Sequence, residues 1–211
     1  VGKDSYEAEQ PLFYSKNGIV TAFLASSDRT GQYNNYKPYL DAGYNKPGFA
    51  YMTPYKIREQ LGKVDPVSDL RIVEFHAGSE YSFMPGAGYD KGIFEEFPED
   101  EEYSSRVDVP HMWDLEIRRF AIDEGADLVI CHHPHIIQGF EVYNGKVIAH
   151  SLGNFVFDLS YAETMPSMIL SVDVTREGFK DYTIHPVFID NDIPIPAKGK
   201  LGNHIIDYLV R

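Results

Sequence analysis

Short apolar runs bounded by turn residues set the rhythm of this chain. Asn17-Gly18 is a turn signal, and Ile19 to Ala25 behind it is an apolar run suited to a buried strand. In SDLRIVEFHAGSEY, Leu70 to Phe75 reads as a second strand, with His76 at its carboxyl end. ADLVIC is a third, and it runs straight into His132, His133 and His135. FEVYNGKVIAHSL alternates on both sides of Asn144-Gly145, which predicts a hairpin with a two-residue turn. SMILSVDVTREG and YTIHPVFID read as further strands.

Helical spacing appears three times. TPYKIREQLGKV offers Thr53 as a cap, Pro54 in the first turn and Gly62 as the stop. HMWDLEIRRFAIDEGA repeats Trp113, Ile117, Phe120 and Ala121 at helical intervals and ends at Gly125. NHIIDYLVR predicts a short terminal helix. The opening VGKDSYEAEQPL and residues 28 to 55, rich in Tyr, Asn, Gly and Pro, read as loop. Residues 83 to 110 carry FMPGAGYDKG and the acidic run EEFPEDEE, and read as a solvated surface insertion. Helix and strand alternate early and strands cluster late, which predicts one α/β sandwich with some antiparallel pairing.

Composition narrows the function. The chain has 211 residues, enough for one domain with a real core. A net charge of −13 argues against nucleic acid as a partner, because phosphate backbones recruit Lys and Arg. One cysteine, Cys131, excludes an internal disulfide framework and a cysteine-rich zinc site. No apolar run approaches the roughly 20 residues of a membrane helix, so no membrane segment is expected in this chain.

The candidate chemistry lies in the histidines. In α/β sheets ligands gather at the carboxyl ends of strands, and two separate strand ends here carry histidine. His133 and His135 are two apart, so in extended chain both point to one side, with Pro134 stiffening the link. With His76 from another strand they make a workable start for a metal site. His132 is less favoured, since it takes the opposite side from His133. His111, His150, His185 and His204 are expected to be structural. Asn154, in Ser151-Leu152-Gly153-Asn154, ends a strand and offers an amide to a substrate or a loop. Glu80, four residues past His76, reads as a partner behind the ligands, a substrate contact or a merely solvated carboxylate. A serine-hydrolase reading fails for want of a G-x-S-x-G elbow. Cys131 closes an apolar strand and reads as a small buried residue rather than a nucleophile.

These stretches carry a resemblance. FHAGSEY resembles the H-W-G-x-E-Y motif of the CapA family of capsule-synthesis proteins, also called the PgsA-like poly-γ-glutamate biosynthesis family. GADLVICHHPHIIQGFEVYNGKVIAHSLGNFVFD resembles its long hallmark around H-P-H and S-L-G-N-F. Cys131, Ala77 and His150 depart from the usual Gly, Trp and Tyr, and none of these removes a candidate ligand. The family is similar to calcineurin-like metallophosphoesterases, which implies an α/β/β/α sandwich with mixed sheets. By motif, His76, His133 and His135 would be metal ligands and Asn154 would border the site as a catalytic residue; His132, whose imidazole titrates near neutral pH, would assist in proton transfer or bind phosphate. The resemblance implies divalent metal ions (Mn, Fe or Zn), two in a full-length protein and one or none in this chain. It implies a phosphoester or anionic polymer as substrate and a place at the bacterial cell surface. The family's early motifs, which supply the other ligands, are not in this sequence. The chain therefore resembles the C-terminal part of a longer protein, with a missing N-terminal part as a possible partner. The alternatives are a non-catalytic assembly or export factor with a vestigial site, and a zinc-dependent amide hydrolase using the same histidines.

Overall fold

The computed structural model describes residues 1–29, 37–78, 80–82, 113–159 and 161–210. The acidic stretch at 83–110 and His111 lie outside the described residues, as does part of the 28–55 loop.

In chain order the elements are α1 (Ser5–Ala8), β1 (Leu12–Lys16), β2 (Ile19–Ser27), α2 (Pro54–Val64) and β3 (Leu70–His76). Then come α3 (Trp113–Asp123), β4 (Leu128–His132), β5 (Ile137–Tyr143) and β6 (Lys146–Leu152). The chain closes with β7 (Pro166–Thr175), β8 (Gly178–Asp190), β9 (Ile193–Pro196) and α4 (Gly199–Leu209). A six-stranded sheet has the order β1-β2-β3-β4-β6-β5, and a three-stranded sheet has the order β7-β8-β9. The expected mixed α/β class, with two sheets, is what the chain adopts.

Topology follows from handedness. β2, β3, β4 and β6 run parallel in the larger sheet. β2 connects to β3 through α2, and β3 to β4 through α3, each step moving one place the same way. Right-handed crossovers in one direction put both helices on the same face. That face is the main core. Ala22 and Leu24, Val73 and Phe75, and Val129 and Cys131 alternate along their strands and meet Ile57, Leu61 and Val64 of α2 and Ile117 and Ala121 of α3. Each such buried aliphatic side chain contributes roughly 1.5–3 kcal/mol relative to exposure. A smaller core joins Met168, Ile205 and Leu209 to Ile137, where α4 packs against both β8 and β5.

Four expectations need correction. Gly62 does not stop α2; the helix runs to Val64, which is buried, and gives way to a 3-10 turn at Asp65–Val67 where Pro66 removes a donor. The terminal helix begins at Gly199, before the first apolar pair. The opening segment contains α1 and β1, and β9 follows β8. Both missed strands are edges: LFYSK is exposed throughout, so nothing drives alternation, and IPIP carries two prolines. Elsewhere the pattern and the fold agree. Thr53 Oγ1 accepts from the Lys56 amide at 3.2 Å. Asn144 (φ 49°) and Gly145 (φ 74°) form the hairpin turn, both with positive φ as a primed turn requires.

Candidate functional site

The parallel strands end side by side. Ser27, His76 and His132 are register partners at the carboxyl edges of β2, β3 and β4. Backbone and hydroxyl bonds tie these ends together: Ser27 Oγ donates to the His76 carbonyl at 2.8 Å, and the Ala77 amide donates to the His132 carbonyl at 3.1 Å.

The chain then does something the extended reading of H-x-H did not anticipate. β5 is antiparallel to β6 and lies beyond it, so the four residues after β4 must cross the end of β6 and reverse. Two strand spacings are about 9–10 Å, and an extended path cannot both span them and turn back. His133 (φ 108°) and His135 (φ 62°) therefore adopt left-handed backbone, which costs a non-glycine residue roughly 1–2 kcal/mol. Their rings do converge, with centroids 6.1 Å apart, but a strained turn brings them together rather than strand alternation.

His133 reaches His76: Nδ1 of one lies 3.2 Å from Nε2 of the other, and the ring centroids are 4.8 Å apart. His135 turns the other way. Its Nδ1 lies 2.8 Å from Asn154 Oδ1, and its Nε2 is 3.8 Å from Glu80 Oε1. Asn154 is fixed by its own loop, for its backbone carbonyl accepts from the Ser167 hydroxyl of β7. Gly153 before it (φ 77°) must be glycine, since a Cβ would come within 2.9 Å of Ile137 Cγ2. The Asn154 Nδ2 is buried with no hydrogen-bond partner among the described residues.

Environment divides the histidines. His76 keeps an exposed flank, yet its pKa is held down to about 4, first by desolvation and then by the neighbouring His133 and His132. His132 is also pushed down by burial, against the pull of Glu74. His135 is pushed up, chiefly by the nearby Glu80 carboxylate, against burial and with help from Asn154. His132 and His76 face a cavity of about 220 Å³ that Ser27 and Glu74 also line. A larger hollow of about 810 Å³, lined by Lys3, Glu7, Lys37 and Tyr39, contains no histidine, so volume is a poor guide here.

Sequence reasoning missed two residues. Asp28 and Arg29 follow β2 and pair at 2.8 Å. Burial raises the Asp28 pKa against the opposing charges of Arg29 and His133, and buried Asp114 of α3 adds to the rise. Only the parallel register that sets β2 beside β3 could have pointed to them. His150 is buried, with Nδ1 2.9 Å from Arg118 Nη1 and Nε2 3.3 Å from Glu141 Oε2, and its pKa is pushed down to about 3 by burial and by Arg118. His185 is exposed beside Ser171, and His204 is exposed on α4. Burial pushes the Cys131 thiol up to about 11, which makes it inert.

The donor set fits a metal in part. Two imidazole nitrogens bound to one ion at about 2.0–2.1 Å each, at an angle near 100°, lie about 3.2 Å apart, and that is the His76–His133 separation. Among the described residues no three His, Cys, Asp or Glu side chains are grouped to hold an ion. His76 and His133 thus present two of the donors that a metal site would need.

Residues 102–159, which include His132, His133, His135 and Asn154 but not His76, match the family described as bacterial capsule synthesis protein PGA_cap, and the chain is CapA-like in sequence. It is 28% identical over 193 residues to the PGA biosynthesis protein CapA of Bacillus subtilis (strain 168), covering 91% of this chain and 43% of that one. It is 26% identical over 207 residues to the capsule biosynthesis protein CapA of Bacillus anthracis, covering 96% and 43%. The chain thus spans less than half the length of these relatives. Among solved structures, a putative 5′-nucleotidase from Staphylococcus aureus overlays with a TM-score of 0.47 at 12% identity, over 93% of this chain and 32% of that one, a likeness too loose to assign anything from. No helix among the described residues is long and apolar enough to cross a membrane.

Proposed function

We propose that this chain carries part of the metal centre of a CapA-like, metallophosphoesterase-type hydrolase that acts in making or exporting an anionic capsule polymer at the bacterial cell surface. The His76–His133 pair carries the reading, because it sets two imidazole nitrogens at the separation one ion requires. His76 and His133 would hold a divalent ion (Mn, Fe or Zn), with the remaining ligands supplied by a part of the protein corresponding to what the longer relatives have in addition. Such an ion, when bound, polarises a phosphoryl oxygen and generates hydroxide near neutral pH.

The chain's own residues would do the rest. His76 offers a lone pair because its surroundings keep it unprotonated. His135 does the opposite: held between Glu80 and Asn154, it keeps a proton on Nε2 that it can give to a leaving oxygen. Asn154 orients that ring. His132, in the cleft beside His76, is positioned to bind the ester oxygens. The test is metal content by plasma mass spectrometry, on the chain and on a His133→Ala/His135→Ala variant. Stoichiometric metal lost in the variant supports the reading, and metal retained by the variant removes it.

The partial ligand set favours a second reading, in which the site is vestigial and the protein is a non-catalytic assembly or export factor. Cells carrying the double variant would then make a normal amount of capsule polymer.

A further inference from the structure

One side of the cluster is walled by aromatic rings that the metal chemistry does not use. Tyr81 stacks on His135, with centroids 5.7 Å apart and planes 26° apart. Tyr161 meets Tyr81 edge-on at 5.8 Å. Phe157 approaches His135 at 5.1 Å. Tyr161, Tyr81, His135 and Phe157 therefore form one continuous surface. The wall is not core: Phe157 is 40% exposed and Tyr161 59% exposed. Tyr81 is held there by backbone, its amide donating to the Pro134 carbonyl at 2.8 Å from a left-handed conformation (φ 58°).

Large aromatics left in water beside a polar cluster are a recognition feature more often than a packing one. Their flat faces attract other flat faces, whether nucleobases or the C–H faces of sugars. The charge around them selects further. Glu80 stands within 3.8 Å of His135, and Asp158 follows Phe157 in the chain, with no Lys or Arg in 155–161. A second anionic group, such as the next carboxylate of a linear polymer, would be repelled.

We propose that this wall is the subsite for a neutral ring in the substrate, seated next to the phosphoester. The assignment rests on the hydrolase reading above and names its substrate class: a phosphoester of a ring-bearing alcohol rather than a linear polyanion. The ring lies against His135, so the ester group falls within reach of the His76–His133 pair.

The experiment is calorimetric titration of the chain with adenosine 5′-monophosphate, glucose 6-phosphate and glycerol 3-phosphate, with and without manganese. At least one ring-bearing ester is expected to bind about tenfold tighter than glycerol 3-phosphate, the scale of one stacked ring. Which of the two does so identifies the ring as base or sugar. Phe157→Ala/Tyr161→Ala should erase that preference and leave glycerol 3-phosphate unchanged. Phe157→Leu keeps apolar bulk without a stacking face and should lose most of the preference if the double variant folds poorly. Equal affinity for all three esters, or a preference that survives the variants, overturns the proposal. If none of the esters binds, the metal-content test still decides the hydrolase reading, and adenosine and methyl glucoside decide the subsite alone. Saturable binding lost in the Phe157 variants upholds the ring site, and no binding of either overturns it.

Discussion

His76 and His135 flank the same residue, His133, yet their surroundings shift the two rings in opposite directions. His76 ends a strand beside other imidazoles and Arg29, and is pushed down to about 4, chiefly by desolvation. His135 sits on a turn between a carboxylate and an amide and is pushed up. The lesson is that neighbours in space need not be equivalent in chemistry. The proposed roles follow that division, a lone pair from His76 and a proton from His135. A pair of like histidines would give neither division of labour.

The largest effect expected from breaking this contrast comes from below it. Arg118 is buried, contacts the Ala77 carbonyl just past His76 at 3.5 Å and bonds His150 at 2.9 Å. Arg118→Met should cost about 3–5 kcal/mol of stability, because it removes one partner of a buried charged network. Urea denaturation measures this, and a loss under 1 kcal/mol would mean the strand end stands without it. Next is the lone-pair side. His133→Ala should weaken manganese or zinc binding at least about 100-fold, whereas His185→Ala, far along β8, should change nothing. Equal losses would show that the histidines act only through overall charge.

The third effect is on pH. His150, facing Arg118, Arg119 and Glu141, titrates near 3 in the folded chain against 6.5 for a free histidine. The folded state therefore binds fewer protons between those values, and stability falls as pH falls through the unfolded pKa. From pH 7 to pH 5 the His150 contribution is about 2 kcal/mol. His150→Gln should flatten that part of the profile in thermal melts at the two pH values. An unchanged slope would assign the effect to other groups. The smallest change sharpens the comparison most directly. Glu80→Gln removes the chief cause of the His135 rise, so the His135 pKa should move down while His76 stays put, as followed by imidazole NMR shifts.

Much of the fold was legible because local chemistry and tertiary demand agreed. Asn144-Gly145 specified its turn, Thr53 and Pro54 specified their cap, and the two helices between parallel strands followed from alternation. Legibility failed where an element is specified only by its partner. β1 is exposed on both faces, and only pairing with β2 makes it a strand. The site was legible as residue types, since histidines after apolar runs mark strand ends. Its geometry was not. That His133 turns to His76 while His135 turns to Asn154 depends on β6 lying between β4 and β5, which no local pattern encodes. Asp28 and Arg29 were invisible for the same reason.

The left-handed backbone at His133 and His135 shapes what a saturation library at those two positions would return. Sorting by expression and sorting by metal retention should give different survivors. Glycine and asparagine relax the turn and should be enriched among well-expressed clones, while valine and isoleucine, whose branched side chains resist positive φ, should be depleted. Metal retention would then discard the glycines the first sort favoured. A natural relative that had abandoned metal chemistry would be expected to drift toward glycine at these positions before anywhere else in the strand ends.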